Sequence, residues 1–148
     1  MNKKIIIGVG IIALIILAIF LIKPRGNTVS ENSNSAGASR VQIFLFHATQ
    51  RCPTCIRIGQ LSKSTVEERF SEQLKTGKIE FREINIDLPE NKALAEKFQV
   101  GGSAFFINSI KNGEDDIAED TMVWQLAGGM SDKFKDYLTN KLNTILGI

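Results

Sequence analysis

The chain has 148 residues, 43% of them hydrophobic, and 18 Lys plus Arg against 16 Asp plus Glu give it a formal net charge of +2. Setting aside Lys3, Lys4, Lys23, Arg25 and Glu31 in the N-terminal stretch leaves 14 cations against 15 acids from Arg40 onward, a balance of −1. A near-neutral body without a basic stripe argues against nucleic-acid binding, and two cysteines three positions apart are too few and too close for a disulfide framework.

Residues 1–4 form a short basic tail, expected on the cytoplasmic side. Residues 5–22, IIIGVGIIALIILAIFLI, run for 18 positions without a charged or strongly polar side chain. As a helix rising ~1.5 Å per residue they span about 27 Å, close to the ~30 Å hydrocarbon thickness of a bilayer, and so read as a single transmembrane signal-anchor. The competing reading is a cleaved signal peptide, with Lys3 and Lys4 as its basic start and Ala36-Gly37-Ala38 as its small-residue site. That site lies too far past the apolar run, beyond Lys23-Pro24-Arg25. Flanking charges are nearly tied, so the extracytoplasmic placement of the body rests on the shortness of the N-terminal tail and on the redox motif described below. Residues 23–39 are rich in Gly, Ser, Asn and Ala from Gly26 on and read as a flexible linker.

From Arg40 the composition changes, and residues 40–148 are expected to form one domain. Val41-Gln42-Ile43-Phe44-Leu45-Phe46 reads as a buried strand. Pro53 then opens a helix whose apolar positions Ile58, Leu61, Val66, Phe70 and Leu74 carry it to about Lys75, with room for a kink at Ser62 and Ser64 and a stop at Gly77. Residues 78–87 alternate as a strand, with one slip of phase between Phe81 and Ile84. Pro89 opens a second helix with Leu94 and Phe98 facing inward. Ala104-Phe105-Phe106-Ile107 is a third strand, and Asn112-Gly113 is a hairpin signal before a fourth at 115–118. Residues 119–129 around Trp124 are ambiguous. The stretch 131–146 is a terminal helix, with Ser131 as its expected N-cap and Phe134, Leu138, Leu142 and Leu146 on one face. Parallel crossovers followed by a hairpin and a covering helix give an α/β domain with a mixed central sheet flanked by helices.

The chemistry centres on Cys52-Pro53-Thr54-Cys55, between a buried strand and the first turn of a helix. Unpaired amide groups and the positive end of the helix dipole favour an anion there, and Arg51 adds a neighbouring positive charge. Cys52 is the expected nucleophile, forming a mixed disulfide with a partner, and Cys55, one helical turn on, is placed to resolve it. Pro53 fixes the turn without needing an N–H partner, and Pro53 and Thr54 together set how strongly the thiolate is favoured. No cofactor is implied. A soft-metal or metalloid carrier built from Cys52, Cys55 and His47 is the binding alternative, although a closed zinc site needs four ligands and His47 is more simply a packing residue. A scaffold role within a membrane complex is the structural alternative. Trp124, Phe105 and Phe106 read as core, and Glu114-Asp115-Asp116 as a solvated turn.

With the motif on a strand-to-helix turn, residues 40–148 resemble the thioredoxin-like superfamily. The stretch 46–55, FHATQRCPTC, with Asn85-Ile86-Asp87 and Glu90-Asn91-Lys92, also resembles a narrower group, the small thioredoxin-like F-type subunits of nitrophenyl-compound nitroreductases. That resemblance implies an accessory subunit beside a membrane-associated thiol or disulfide partner, in the reduction of aromatic nitro compounds or arsenicals. One departure stands out. Redox-active relatives carry a cis-proline at the start of the strand facing the active site, and Ala104 occupies that position, which puts docking by backbone pairing in doubt and favours metal at the cysteines.

Overall fold

The computed structural model describes residues 37–148. The expected anchor at 5–22 and the linker up to residue 36 lie outside the described residues, among which no helix is long and apolar enough to cross a membrane.

Four strands form one mixed sheet in the order β2-β1-β3-β4: β1 Arg40–His47, β2 Ile79–Asn85, β3 Ala104–Lys111 and β4 Glu114–Glu119. The central β1 is buried on both faces over Ile43–Phe46, as that apolar run requires. Val41, Ile43 and Leu45 enter the main core, and Phe44 and Phe46 face the other way. The main core is closed by α1 (Pro53–Arg69), α4 (Met122–Ala127) and α5 (Ser131–Leu146), which contribute Ile58, Leu61, Val66, Val123, Ala127, Phe134, Leu138, Leu142 and Leu146. A five-residue α2 (Ser71–Lys75) follows α1, while a 3-10 turn (Pro89–Asn91) and α3 (Lys92–Lys97) connect β2 to β3. Just past α3, Phe98 closes the second face, its ring centroid 4.9 Å from Phe44, 5.2 Å from Phe46 and 5.3 Å from Phe106.

Several expectations need correction. Only β1 and β2 form a parallel crossover; β3 runs antiparallel to β1, with Ala104 opposite Phe46. The connection leaves and rejoins the sheet at one end, since Asn85 lies opposite His47 and Ala104 opposite Phe46. The long helix does not kink at Ser62 or Ser64 but breaks at Phe70 (φ −133°, ψ 32°), whose buried ring turns the chain into the core. Ser64 bonds back to the Leu61 carbonyl within the helix instead. The N-cap of α5 is Met130, not Ser131, whose hydroxyl accepts from Arg57. Residues 119–129, ambiguous in sequence, contain α4. The hairpin at Asn112-Gly113 has positive φ at both residues (54° and 84°), as a type I′ turn needs.

The linker, expected to run through Ser39, ends earlier. Ala38 is buried, with its N–H on the Ile145 carbonyl at 2.8 Å, and Ser39 donates to the Ile110 carbonyl from both N (2.9 Å) and Oγ (2.8 Å). A Cβ on Gly37 would lie 2.0 Å from the Leu146 carbonyl oxygen. Small residues that read as linker composition are therefore small because the backbone packs against the end of α5.

Buried Asp120 ties α4 to α5. It accepts the Met122 N–H at 3.0 Å, the Tyr137 hydroxyl at 2.9 Å from both carboxylate oxygens, and Lys141 Nζ at 2.7 Å. Burial, then the Asp120 hydrogen bond and charge, lift the Tyr137 phenol above its ordinary range; burial opposes charge on Lys141, but Asp120 and then Tyr137 lift the ammonium above its own. Both groups bind their protons more tightly when folded, so their stabilisation is complete below the unfolded values, ~10 and ~10.4, and is lost as pH rises through the folded ones. Asp120→Ala should cost roughly 2–4 kcal/mol at neutral pH, less than for a fully buried pair because Lys141 keeps some solvent contact. In urea unfolding, the gap between wild type and this variant should narrow above about pH 10; a pH-independent gap would contradict the assignment.

Candidate functional site

The C-terminal end of β1 delivers the chain to a loop that must reach the start of α1. Two side chains, Asn85 at the end of β2 and Asp87 just beyond it, pin that loop. Thr49 N–H donates to Asp87 Oδ2 at 2.7 Å, Asn85 Nδ2 donates to Thr49 Oγ1 at 3.1 Å, and Asn85 Oδ1 accepts the Asp87 N–H at 3.0 Å. The Thr49 backbone and side-chain hydrogen bonds, with a smaller contribution from the His47 charge, hold the Asp87 carboxyl below its ordinary value against a slight desolvation.

Cys52 is the N-cap of α1. Its extended backbone (φ −75°, ψ 156°) aims Sγ at the helix end, where it accepts the Cys55 N–H at 3.2 Å, and Pro53 follows in the first turn. The sulfur therefore takes the place of the usual hydroxyl or carboxylate cap, satisfying an amide that would otherwise lack a partner. Cys52, Pro53 and Thr54 are exposed, whereas Cys55 is only 2% exposed. Both thiols are free, with their sulfurs 2.6 Å apart. Behind them, Cys55 Sγ lies 3.5 Å from Ser103 Oγ. Burial pushes the Cys55 thiol up, but contacts with the Cys52 sulfur, Ser103 and the Cys52 side of the turn, and last the Arg51 charge, bring it below its ordinary value. Of the two thiols, Cys52 is the one open to solvent.

The loop before β3 brings its last residue, Ser103, to the motif. No cis peptide bond occurs among the described residues. Ala104 is buried as the first residue of β3, and it is the preceding Ser103 that meets the sulfur. The Arg51 guanidinium pairs with Glu83 through Nη1 and donates to the Cys55 carbonyl through Nη2 at 3.2 Å. Gly59 leaves space for this pair, since a Cβ there would lie 2.8 Å from Glu83 Oε1 and 3.0 Å from Arg51 Nη2. His47 is half-buried, with Nδ1 2.9 Å from the Ala48 carbonyl. It is not gathered with the cysteines: among the described residues no three His, Cys, Asp or Glu side chains converge to hold a metal ion. Trp124 packs partly buried against the main core, Phe105 lies within it, and Phe106 packs on the opposite face.

Ser103, Glu83 and Gly59 escape a sequence reading centred on the four-residue motif. The slip of phase in β2 is the one signal for Glu83: Ile79 and Phe81 face the main core, and Glu83 takes the next place on that face where an apolar residue would continue the pattern. Nothing comparable marks Ser103.

No protein-family model matches this chain, and no curated protein matches it. Solved structures similar to it include an uncharacterised thioredoxin-like protein from Clostridium perfringens, with 16% identity over 74% of each chain and a TM-score of 0.48. A thioredoxin from Thermus thermophilus has 18% identity, covers 72% of this chain and 76% of its own, and gives a TM-score of 0.45. The thioredoxin of Fasciola hepatica has 22% identity, covers 70% and 82%, and gives 0.41. At these scores the topology stands on the strand order and connections described above.

Ser103→Ala removes one of the contacts that hold Cys55 low. In the reduced protein, NMR titration of the Cys55 Cβ should show it deprotonating at higher pH than in wild type, with the fold intact. An unchanged or lower titration would show that the Ser103 contact does not act on the thiol.

Proposed function

We propose that this chain is a thioredoxin-like thiol-disulfide oxidoreductase, tethered to a membrane by residues 5–22 with residues 37–148 on the extracytoplasmic side. The observation that carries the reading is an exposed sulfur capping a helix N-terminus with a second, buried sulfur 2.6 Å behind it. The Cys52 thiolate attacks one sulfur of a partner disulfide, a new S–S bond forms, and the displaced partner sulfur leaves as a thiolate that takes up a proton. Cys55, after losing its proton, attacks Cys52 Sγ and displaces the second partner thiolate. The partner gains two electrons, and the chain is left with a Cys52–Cys55 disulfide. The reverse sequence runs with the same atoms.

The likeness of residues 46–55 to the small nitroreductase subunits extends this proposal to an accessory role, passing electrons to one membrane-associated protein partner in nitroaromatic or arsenical reduction. Nothing in the geometry favours the metal-carrier alternative, because His47 stands apart from the sulfurs.

The division of labour between the cysteines is testable with oxidised glutathione and the purified full chain. Cys55→Ser should accumulate a stable single-glutathione adduct on Cys52, read by intact mass, whereas wild type should clear the adduct by forming its internal disulfide. Cys52→Ser should react much more slowly. Equal adduct formation on Cys55 in that variant, or an adduct that persists in wild type, would overturn the assignment.

A further inference from the structure

An ion pair on an open surface contributes little, because water screens both charges. Arg51 and Glu83 are placed differently. Their side chains keep 23% and 31% of their exposure beside α1, and Gly59 is the helix position whose missing side chain makes room for them. The guanidinium faces two ways, with Nη1 on the Glu83 carboxylate and Nη2 on the carbonyl of Cys55, while Nε is buried with no hydrogen-bond partner in the protein. The carboxylate that partly neutralises Arg51 comes from β2 and makes no hydrogen bond with either cysteine. The structure thus holds a positive charge fastened to the CxxC turn and a negative charge fastened to that positive one.

We infer that Arg51 and Glu83 act as an opposed pair of positioning residues that set how readily Cys52 and Cys55 carry negative charge: Arg51 favours the thiolate, Glu83 limits it, and Gly59 keeps the space in which they meet. This inference rests on the thiol-disulfide reading and adds to it a control on potential. When the disulfide takes up two electrons and one proton, it yields one thiol and one thiolate. Whatever stabilises the thiolate stabilises the reduced form and makes the disulfide more oxidising. Arg51 therefore raises the potential of the pair and Glu83 lowers it. The Arg51 charge is one of the influences that hold the Cys55 thiol low, in keeping with this direction.

Opposite signs distinguish the inference from a merely structural role, which would loosen the turn in the same sense whichever partner is removed. The experiment uses the reduced full chain and the pH dependence of alkylation by iodoacetamide. On the acid side of the inflection, Glu83→Gln should react roughly three- to tenfold faster than wild type and Arg51→Gln slower by a similar factor. The double variant should return to within about twofold of wild type, since each removes what the other balances. Arg51→Lys keeps the charge without the fork and should also stay within about twofold; loss as great as in Arg51→Gln would assign Arg51 a purely structural role. Equilibration with reduced and oxidised glutathione should move in step, Glu83→Gln toward the dithiol and Arg51→Gln toward the disulfide. Single variants that shift in the same direction, or that both stay within about twofold of wild type, would overturn the inference. If the alkylation profiles shift oppositely but wild type never equilibrates with glutathione, the charge balance stands and the oxidoreductase reading falls. The converse result spares that reading and removes only the charge balance.

Discussion

Strand β1 is buried on both faces and paired on both edges, and this constraint orders everything around it. A strand so enclosed opens to solvent chiefly at its ends. At the C-terminal end three segments come together: the loop into α1, the end of β2, and the start of β3. Cys52, Cys55 and Ser103 meet there for that reason, with Asp87 holding the loop at Thr49. At the opposite end, Ala38 and Ser39 join the chain to the sheet and to α5.

The chemistry of the site follows from two opposing effects. Burying a thiol favours its neutral form, and a helix N-terminus with hydrogen-bond donors favours the anion. At Cys55 the second effect prevails, because the Cys52 sulfur, Ser103 and Arg51 all act in one direction against burial. Cys52 stands outside that enclosure, exposed and capping the helix, so the sulfur open to solvent and the sulfur protected from it are separated by a single helical turn. The Asp120 network makes no contact with either cysteine; it holds the start of α4 to α5.

Much of the fold was readable where a pattern extended over several residues. The apolar run of β1, the four-residue spacing of Phe134, Leu138, Leu142 and Leu146, and the Asn112-Gly113 turn each repeat or specify a geometry strongly enough to be read alone. Shorter elements were not readable: α4 buries only Val123 and Ala127 and is too brief to display a period. Direction of strands also escaped, since the alternation that marks β3 is the same whichever way the chain runs. At the site, Cys52 and Cys55 were legible because strand, turn and helix signals converge on them. Arg51 was identified, but its direction was not, because its partner Glu83 lies 32 residues away and shows itself only as a break in alternation. Ser103 and the packing of Gly37 leave no trace in local pattern, as each is defined by contact with a distant segment.

The central claim, that Cys52 and Cys55 form an exchanging redox pair, is tested most directly by equilibrating the full chain across a series of glutathione buffers and counting alkylated cysteines at each potential. The account predicts one reversible two-electron transition in which both thiols appear and disappear together, the same from either direction of approach. Thiols that stay reduced under every buffer, or that oxidise without returning, would contradict it.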